Sequence, residues 1–351
     1  MKQGILDKLE GLSARLEELD RTLASGEATR DLDHYRKLTR EHAELGPVVA
    51  LYGDWRRVQD DLRAAQEILD DAASDDPDMK ALAADYDFAY QQCPDPNLVN
   101  VFGLKYVYHN LKLFLKMRAI GRDLSHLLIP IGPYPLEALK HLSLTLESDL
   151  CDPLIVEEVA QTWSEYKDYE NTVAIDMGMD SAYFRHLRVI ADQSDLPLLQ
   201  ELVDAKIDFF NAITALRALA QDKPNSFAYQ LMSRKGTKRP KEILHLAKDG
   251  QLASWFNAFN ALPYTKVFDS YVQAMQSGKI QASQMEQLQD LYLTHLVNSA
   301  SLDALSGGQI LRYLNGREME VVNLCLILLG RANGIAKEAI EERMRLGYHD
   351  N

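Results

Sequence analysis

One apolar pattern occurs three times in this chain, and that repetition limits the folds open to it more than any single motif does. The stretches 104–115, 205–216 and 317–328 align on Asn110, Asn211 and Asn323. Relative to the asparagine, position −9 is Val101, Leu202 and Leu314, and position −2 is Tyr108, Phe209 and Val321. Position +1 is Leu111, Ala212 and Leu324, and position +5 is Leu115, Leu216 and Leu328. Steps of 7, 3 and 4 residues put these side chains on one stripe of a helix. Only position −6 departs, with Leu104, Ala205 and Arg317. The asparagines stand 101 and 112 residues apart, too far for stacked solenoid repeats and right for three helical lobes. The spacing predicts that Leu115, Leu216 and Leu328 are buried in equivalent places. The asparagines have no catalytic companion and are expected to act as caps or interhelix hydrogen bonds. A three-lobed helical body without chemistry at its repeats points to a shaped mechanical or docking part.

With 351 residues, 46% of them hydrophobic and 26% charged, the chain can bury two or three cores as an ordinary globular protein. Its net charge of −14 makes it a poor general binder of phosphate backbones. The excess is steepest in residues 1–86, with 12 Lys and Arg against 20 Asp and Glu, and reads as a solvated acidic face. Cys93, Cys151 and Cys325 are isolated and the nine His residues show no ligand spacing. Disulfide scaffolds and metal sites are therefore not expected, and a reducing compartment fits. Cys325 lies in the apolar run 324–329 and is expected to be a core thiol. That run is far shorter than the roughly 18–20 residues of a membrane span. The first residues lead into an acidic amphipathic helix and not a signal peptide, so a cytoplasmic location is expected.

Helical spacing continues throughout. Leu9, Leu12, Leu16 and Leu19 mark a first helix, Leu38, His42 and Leu45 a second, and Leu51, Trp55, Val58 and Leu62 a third. An acidic linker at 70–77 precedes a fourth. Repeat helices are predicted near 97–119, 196–220 and 312–331. Only Thr172–Asp180 resembles a short strand.

The stretch Leu305-Ser306-Gly307-Gly308-Gln309 spells the signature of ABC transporter ATPases, and Gly307-Gly308-Gln309 the tripeptide of peptide release. Neither has its context: there is no phosphate-cradling P-loop, and no long Gly/Arg-rich loop surrounds the tripeptide. A turn entering the third repeat helix is the reading that remains. Arg234, Lys235, Lys238, Arg239 and Lys241 form one basic cluster, without the interleaved aromatics that stack nucleobases. Phe210 and Val322 stand at the position of His109 in the other two repeats, which argues for a structural role. Acid pairs such as Asp60-Asp61 and Glu341-Glu342 are sequence neighbours that diverge on a helix. No catalytic, cofactor-binding or metal-ligating residue is assigned, and no cofactor is expected.

Several motifs carry a family resemblance. Tyr106-Val107-Tyr108-His109-Asn110-Leu111-Lys112, Leu127-Leu128-Ile129-Pro130-Ile131-Gly132 and Met179-Asp180-Ser181-Ala182-Tyr183-Phe184 resemble, in order, the C-type subunit of V-type ATPases, called the d-type subunit in eukaryotes. The segments 312–324 and 337–345 are similar to its third-lobe helix and closing stretch. The resemblance runs from about 86 to 351. It implies an all-α fold of three pseudo-equivalent lobes shaped like a funnel. It also implies a non-catalytic rotor part that couples the central shaft, of D- and F-type subunits, to the membrane proteolipid ring during proton or sodium transport. Such a part is peripheral on the inner face of the membrane, with no direct insertion and no nucleic acid partner.

Residues 1–85 resemble something else, the N-terminal helical domain of class-1 peptide chain release factors. Ile5–Glu10, Leu38–Leu45 and Asp54–Leu62 carry that likeness. The codon-reading and peptidyl-release domains do not follow. The expectation is a fusion: a separate helical hairpin over 1–85, hinged near Asp75–Asp87, and a first lobe of the 86–351 domain left incomplete and underpacked. The alternative function this raises is ribosome docking, related to translation termination, through residues 1–85.

Overall fold

The computed structural model describes residues 77–260, 262, 266–299 and 306–347, with scattered residues between 11 and 52. The chain divides into two compact units, Met1–Asp75 and Asp76–Asn351. In the first, helical residues at 11–22 and 38–52 bring Leu19 and Leu38 together as a small core with Leu45 against it. Arg15 ties these stretches, pairing with Glu41 at 2.8 Å and Glu18 at 2.7 Å. Trp55, Leu62 and the 70–76 linker lie outside the described residues.

The second unit is helical, with no strand among the described residues. Its helices are α1 (Pro77–Gln92), α2 (Pro96–Ile120), α3 (Leu136–Thr145), α4 (Pro153–Tyr169), α5 (Thr172–Gln193), α6 (Pro197–Ala220) and α7 (Asn225–Leu231). They continue as α8 (Pro240–Lys248), α9 (Leu252–Phe259), α10 (Asp269–Gln276), α11 (Ala282–Asn298), α12 (Gly308–Ala332) and α13 (Lys337–Glu341). Local chemistry sets the ends. Asp95 and Asp152 accept the amides of Asn97 and Leu154 ahead of Pro96 and Pro153, and Gly121 closes α2 at φ +66°.

The repeats are α2, α6 and α12, of 25, 24 and 25 residues, and each asparagine does the same thing. Asn110 Nδ2 donates to the Ile129 carbonyl at 2.6 Å while its Oδ1 accepts the Ile129 amide at 2.9 Å. Asn211 holds Ser233 in the same way at 2.9 and 2.8 Å, and Asn323 holds Arg345 at 2.8 and 2.7 Å. Each is a two-pronged clamp on a loop peptide that follows the helix. His109 adds a bond from Nε2 to the Leu127 carbonyl at 3.0 Å. The Leu127–Gly132 motif is thus a clamped loop. Its Gly132 has φ +133°, and a Cβ there would lie 2.6 Å from Val107 Cγ2.

Between repeats, three linking helices close a ring. Helix α5 packs on α2 and α6, α11 on α6 and α12, and α1 on α12 and α2. The closing contact is polar as well as apolar. Arg317 Nε reaches Asp85 of α1 at 2.6 Å, and the Tyr313 hydroxyl donates to the same carboxylate at 2.7 Å. Arg317 is the residue that breaks the stripe at position −6, and this pairing is why.

Three expectations are corrected. Residues 77–87 are no hinge, because they lie in α1, whose Leu82 and Tyr86 are fully buried in the main core. The first lobe is not underpacked: Leu111 and Leu115 are 0% exposed, covered by α3 and α5. Thr172–Asp180 is helical, capped by Asn171, with Ile175 and Met179 in the core; packing overrides the β-branched composition.

The third repeat also departs. Leu115 is buried and Leu216 half-buried, but Leu328 is 60% exposed, and Leu324 and Cys325 are exposed too. Among the described residues only the short α13 packs beside the end of α12, with Ile340 against Gly330. The Cys325 thiol is therefore not in the core.

Truncation separates these sites. Leu115→Ala should cost about 2–5 kcal/mol in urea unfolding, and Leu328→Ala less than about 0.5 kcal/mol. Asn110→Ala and Asn211→Ala each orphan a loop peptide and should cost about 2–4 kcal/mol by the same measurement. Losses below about 1 kcal/mol would mean that the clamps are incidental.

Candidate functional site

The ring of six helices encloses a hollow of about 460 Å³. All six line it, for example Leu82 of α1, Phe102 of α2, Tyr183 of α5, Phe210 of α6, Leu293 of α11 and Met319 of α12. At position −5 the three repeats present Lys105, Lys206 and Glu318, and all three face the hollow. Equivalent positions on three helices converge on one space, which is what a ring of repeats produces.

Glu318 is the buried centre of this group. Lys105 Nζ lies 2.8 Å from its Oε1, and the Tyr86 hydroxyl donates to the same oxygen at 2.6 Å. Burial works to raise its pKa, but Lys105, Lys206 and these hydrogen bonds outweigh it and hold the carboxyl below the ordinary range. Asp290 on α11 is raised by burial, against the opposing Arg345 guanidinium at 2.9 Å. Burial pushes the Lys206 ammonium down to about 8, with Glu318 opposing. The hollow is a partly desolvated, mixed-charge surface. It holds no nucleophile–base pair, and no group of three His, Cys, Asp or Glu among the described residues could hold a metal.

The other sequence features fall elsewhere. Gly307 and Gly308 enter α12, where a Cβ on Gly307 would lie 2.4 Å from Leu98 Cδ1, so the glycine permits α12 to approach α2. Arg234, Lys235, Lys238 and Arg239 are exposed on a loop pinned by Ser233 to Asn211 and by Thr237 to Asp208, and Lys241 is exposed in the first turn of α8. A wider depression of about 800 Å³ between α5 and this loop includes Arg185, but Glu158 already occupies that guanidinium. Cys151 is buried, and Glu341 and Glu342 are exposed at α13; Asp60 and Asp61 lie outside the described residues.

The resemblance implied a funnel, but sequence reasoning missed the residues that line the hollow. Its signal was the alignment itself, since position −5 is charged in all three copies beside an otherwise apolar stripe.

The position −5 group yields a stability test. Glu318→Gln leaves Lys105 without its carboxylate and should cost roughly 2–4 kcal/mol, less than a fully buried pair because Lys105 is partly open. Replacing both Lys105 and Glu318 by Met should recover most of that loss. Since the folded pKa of Glu318 is depressed, its contribution is present at neutral pH and fades as pH falls through the carboxylate range. A single variant as stable as the parent across that range would contradict this.

Comparison with known proteins agrees with the geometry. The family described as ATP synthase (C/AC39) subunit matches residues 64–343, so the match begins ahead of the boundary near 86 expected from the sequence. The C subunit of the V-type sodium ATPase of Enterococcus hirae is 31% identical over 265 residues, 74% of this chain and 77% of that protein. The match spans the whole ring from α1 to α12, and the chain belongs to the ATP synthase (C/AC39) subunit family.

Proposed function

We propose that this chain is a non-catalytic central-rotor subunit of a V-type ion-translocating ATPase. In this reading it receives the central shaft in its hollow and passes torque to the membrane proteolipid ring. The observation that carries it is the hollow, lined by all six helices of a closed ring and faced by charged groups from all three repeats. Torque transfer needs a body that does not shear, and ties across the α1–α12 seam such as Arg317 to Asp85 and Tyr86 to Glu318 support it. No helix of the described residues is long and apolar enough to cross a membrane, which fits a peripheral position held by partners on the cytoplasmic face.

Residues 1–75 form their own compact unit. Their likeness to a release-factor helical domain favours the second reading, ribosome docking through that unit. The two part in one experiment. Purified chain is offered co-expressed D- and F-type shaft subunits in one arm and ribosomes in the other. Capture of the shaft pair without ribosome co-sedimentation is expected; the reverse would overturn the rotor reading.

The chain alone should turn over neither ATP nor peptidyl-tRNA, because Gly307-Gly308-Gln309 is a helix entry and no P-loop accompanies it. Turnover of either substrate that is abolished by Gly308→Ala would contradict this.

A further inference from the structure

One charged group of the hollow has no counter-ion of its own. Glu318 is paired with Lys105, Asp290 with Arg345 and Glu286 with Arg217. Lys206 has no carboxylate within ion-pairing distance among the described residues. Its Nζ rests 4.4 Å from the centroid of the Phe102 ring, a contact that partly replaces water but does not neutralise charge. Lys206 is half-buried, and an ammonium that is partly cut off from water without a carboxylate beside it is costly. Each carboxylate that lines the hollow thus already has its own cation, Asp290 taking Arg345 from behind the lining, and Lys206 is left over on a side chain that lines open space.

We propose that Lys206 is the docking point for a single carboxylate, an Asp or Glu side chain at the tip of the shaft subunit that enters the hollow. This rests on the rotor reading and names the chemistry of its contact. A monovalent carboxylate restores neutrality, whereas a phosphate would overshoot it beside Glu318, Asp290 and Glu286. The ligand must be carried on something that reaches between α2 and α6, because Lys206 meets Phe102 across the ring. Loss of water lowers the lysine pKa and Lys105 adds to that, against Glu318 and Asp290, and a bound carboxylate would oppose both lowering causes.

Calorimetric titration of the full chain with the co-expressed D- and F-type shaft pair tests this. Lys206→Met should weaken binding about tenfold or more while the free chain melts no lower than the parent, since an unpaired, half-buried charge has been removed. Lys206→Arg should stay within about threefold. Changing the Asp and Glu residues of the shaft tip one at a time to Asn and Gln should find one with the same loss, and that loss should vanish in the Lys206→Met background. Additive losses, or a Lys206→Met chain that binds as tightly as the parent, would overturn this inference and leave the docking reading intact. A folded parent chain that fails to bind the shaft would overturn both. If Lys206→Met fails to fold, the parent labelled with 13C at lysine Cε decides: the Lys206 resonance should titrate near 8 free and above about 10 in the complex. No upward shift in the complex would overturn the inference.

Discussion

Everything in the second unit depends on a buried loop peptide being satisfied by a helix. A helix has already spent its backbone donors and acceptors on itself, so only a side chain can meet a peptide that packs against it. Asparagine is the short side chain whose amide offers one donor and one acceptor at the spacing a peptide needs. The chain uses it at Asn110, Asn211 and Asn323, on loops 19, 22 and 22 residues downstream. By fixing where the chain turns back after α2 and α6, the clamps set the paths that lead to α5 and α11. These linking helices, with α1, close the ring.

Ring closure then creates the hollow and its electrostatics. Positions that face the same way on three helices must meet at the centre, and at the centre water is scarce. Identical charges there would repel strongly. The third copy carries Glu318 where the first two carry Lys105 and Lys206, so one pair is neutralised and one cation is left. Position −6 shows a similar division of labour. Leu104 and Ala205 are buried there, while Arg317 ties the ring shut through Asp85.

The stripe, the three repeat helices and the all-α architecture were legible in the sequence, since they need only local periodicity. The recurring asparagines were legible as structural, but their partners were not, because Ile129, Ser233 and Arg345 share no residue type. Only backbone is recognised there. Burial at position +5 failed for Leu328 because burial depends on which later elements return over the helix: α3 and α5 cover Leu115, while the short α13 leaves Leu328 open. Thr172–Asp180 misled by composition, as Gly178 breaks helical propensity yet admits Thr162 of α4 within 2.5 Å of a would-be Cβ. The hollow depends on contacts such as Tyr86 to Glu318, 232 residues apart, which no local pattern encodes.

The central claim is that the shaft enters the space ringed by α1, α2, α5, α6, α11 and α12. A photoreactive benzoylphenylalanine at Phe210, which lines the hollow, tests this in the assembled ATPase. Irradiation should join the chain to a shaft subunit, and the same probe at exposed Phe88 should not. Cross-linking from position 210 to the proteolipid ring, or to no other subunit, would contradict the claim.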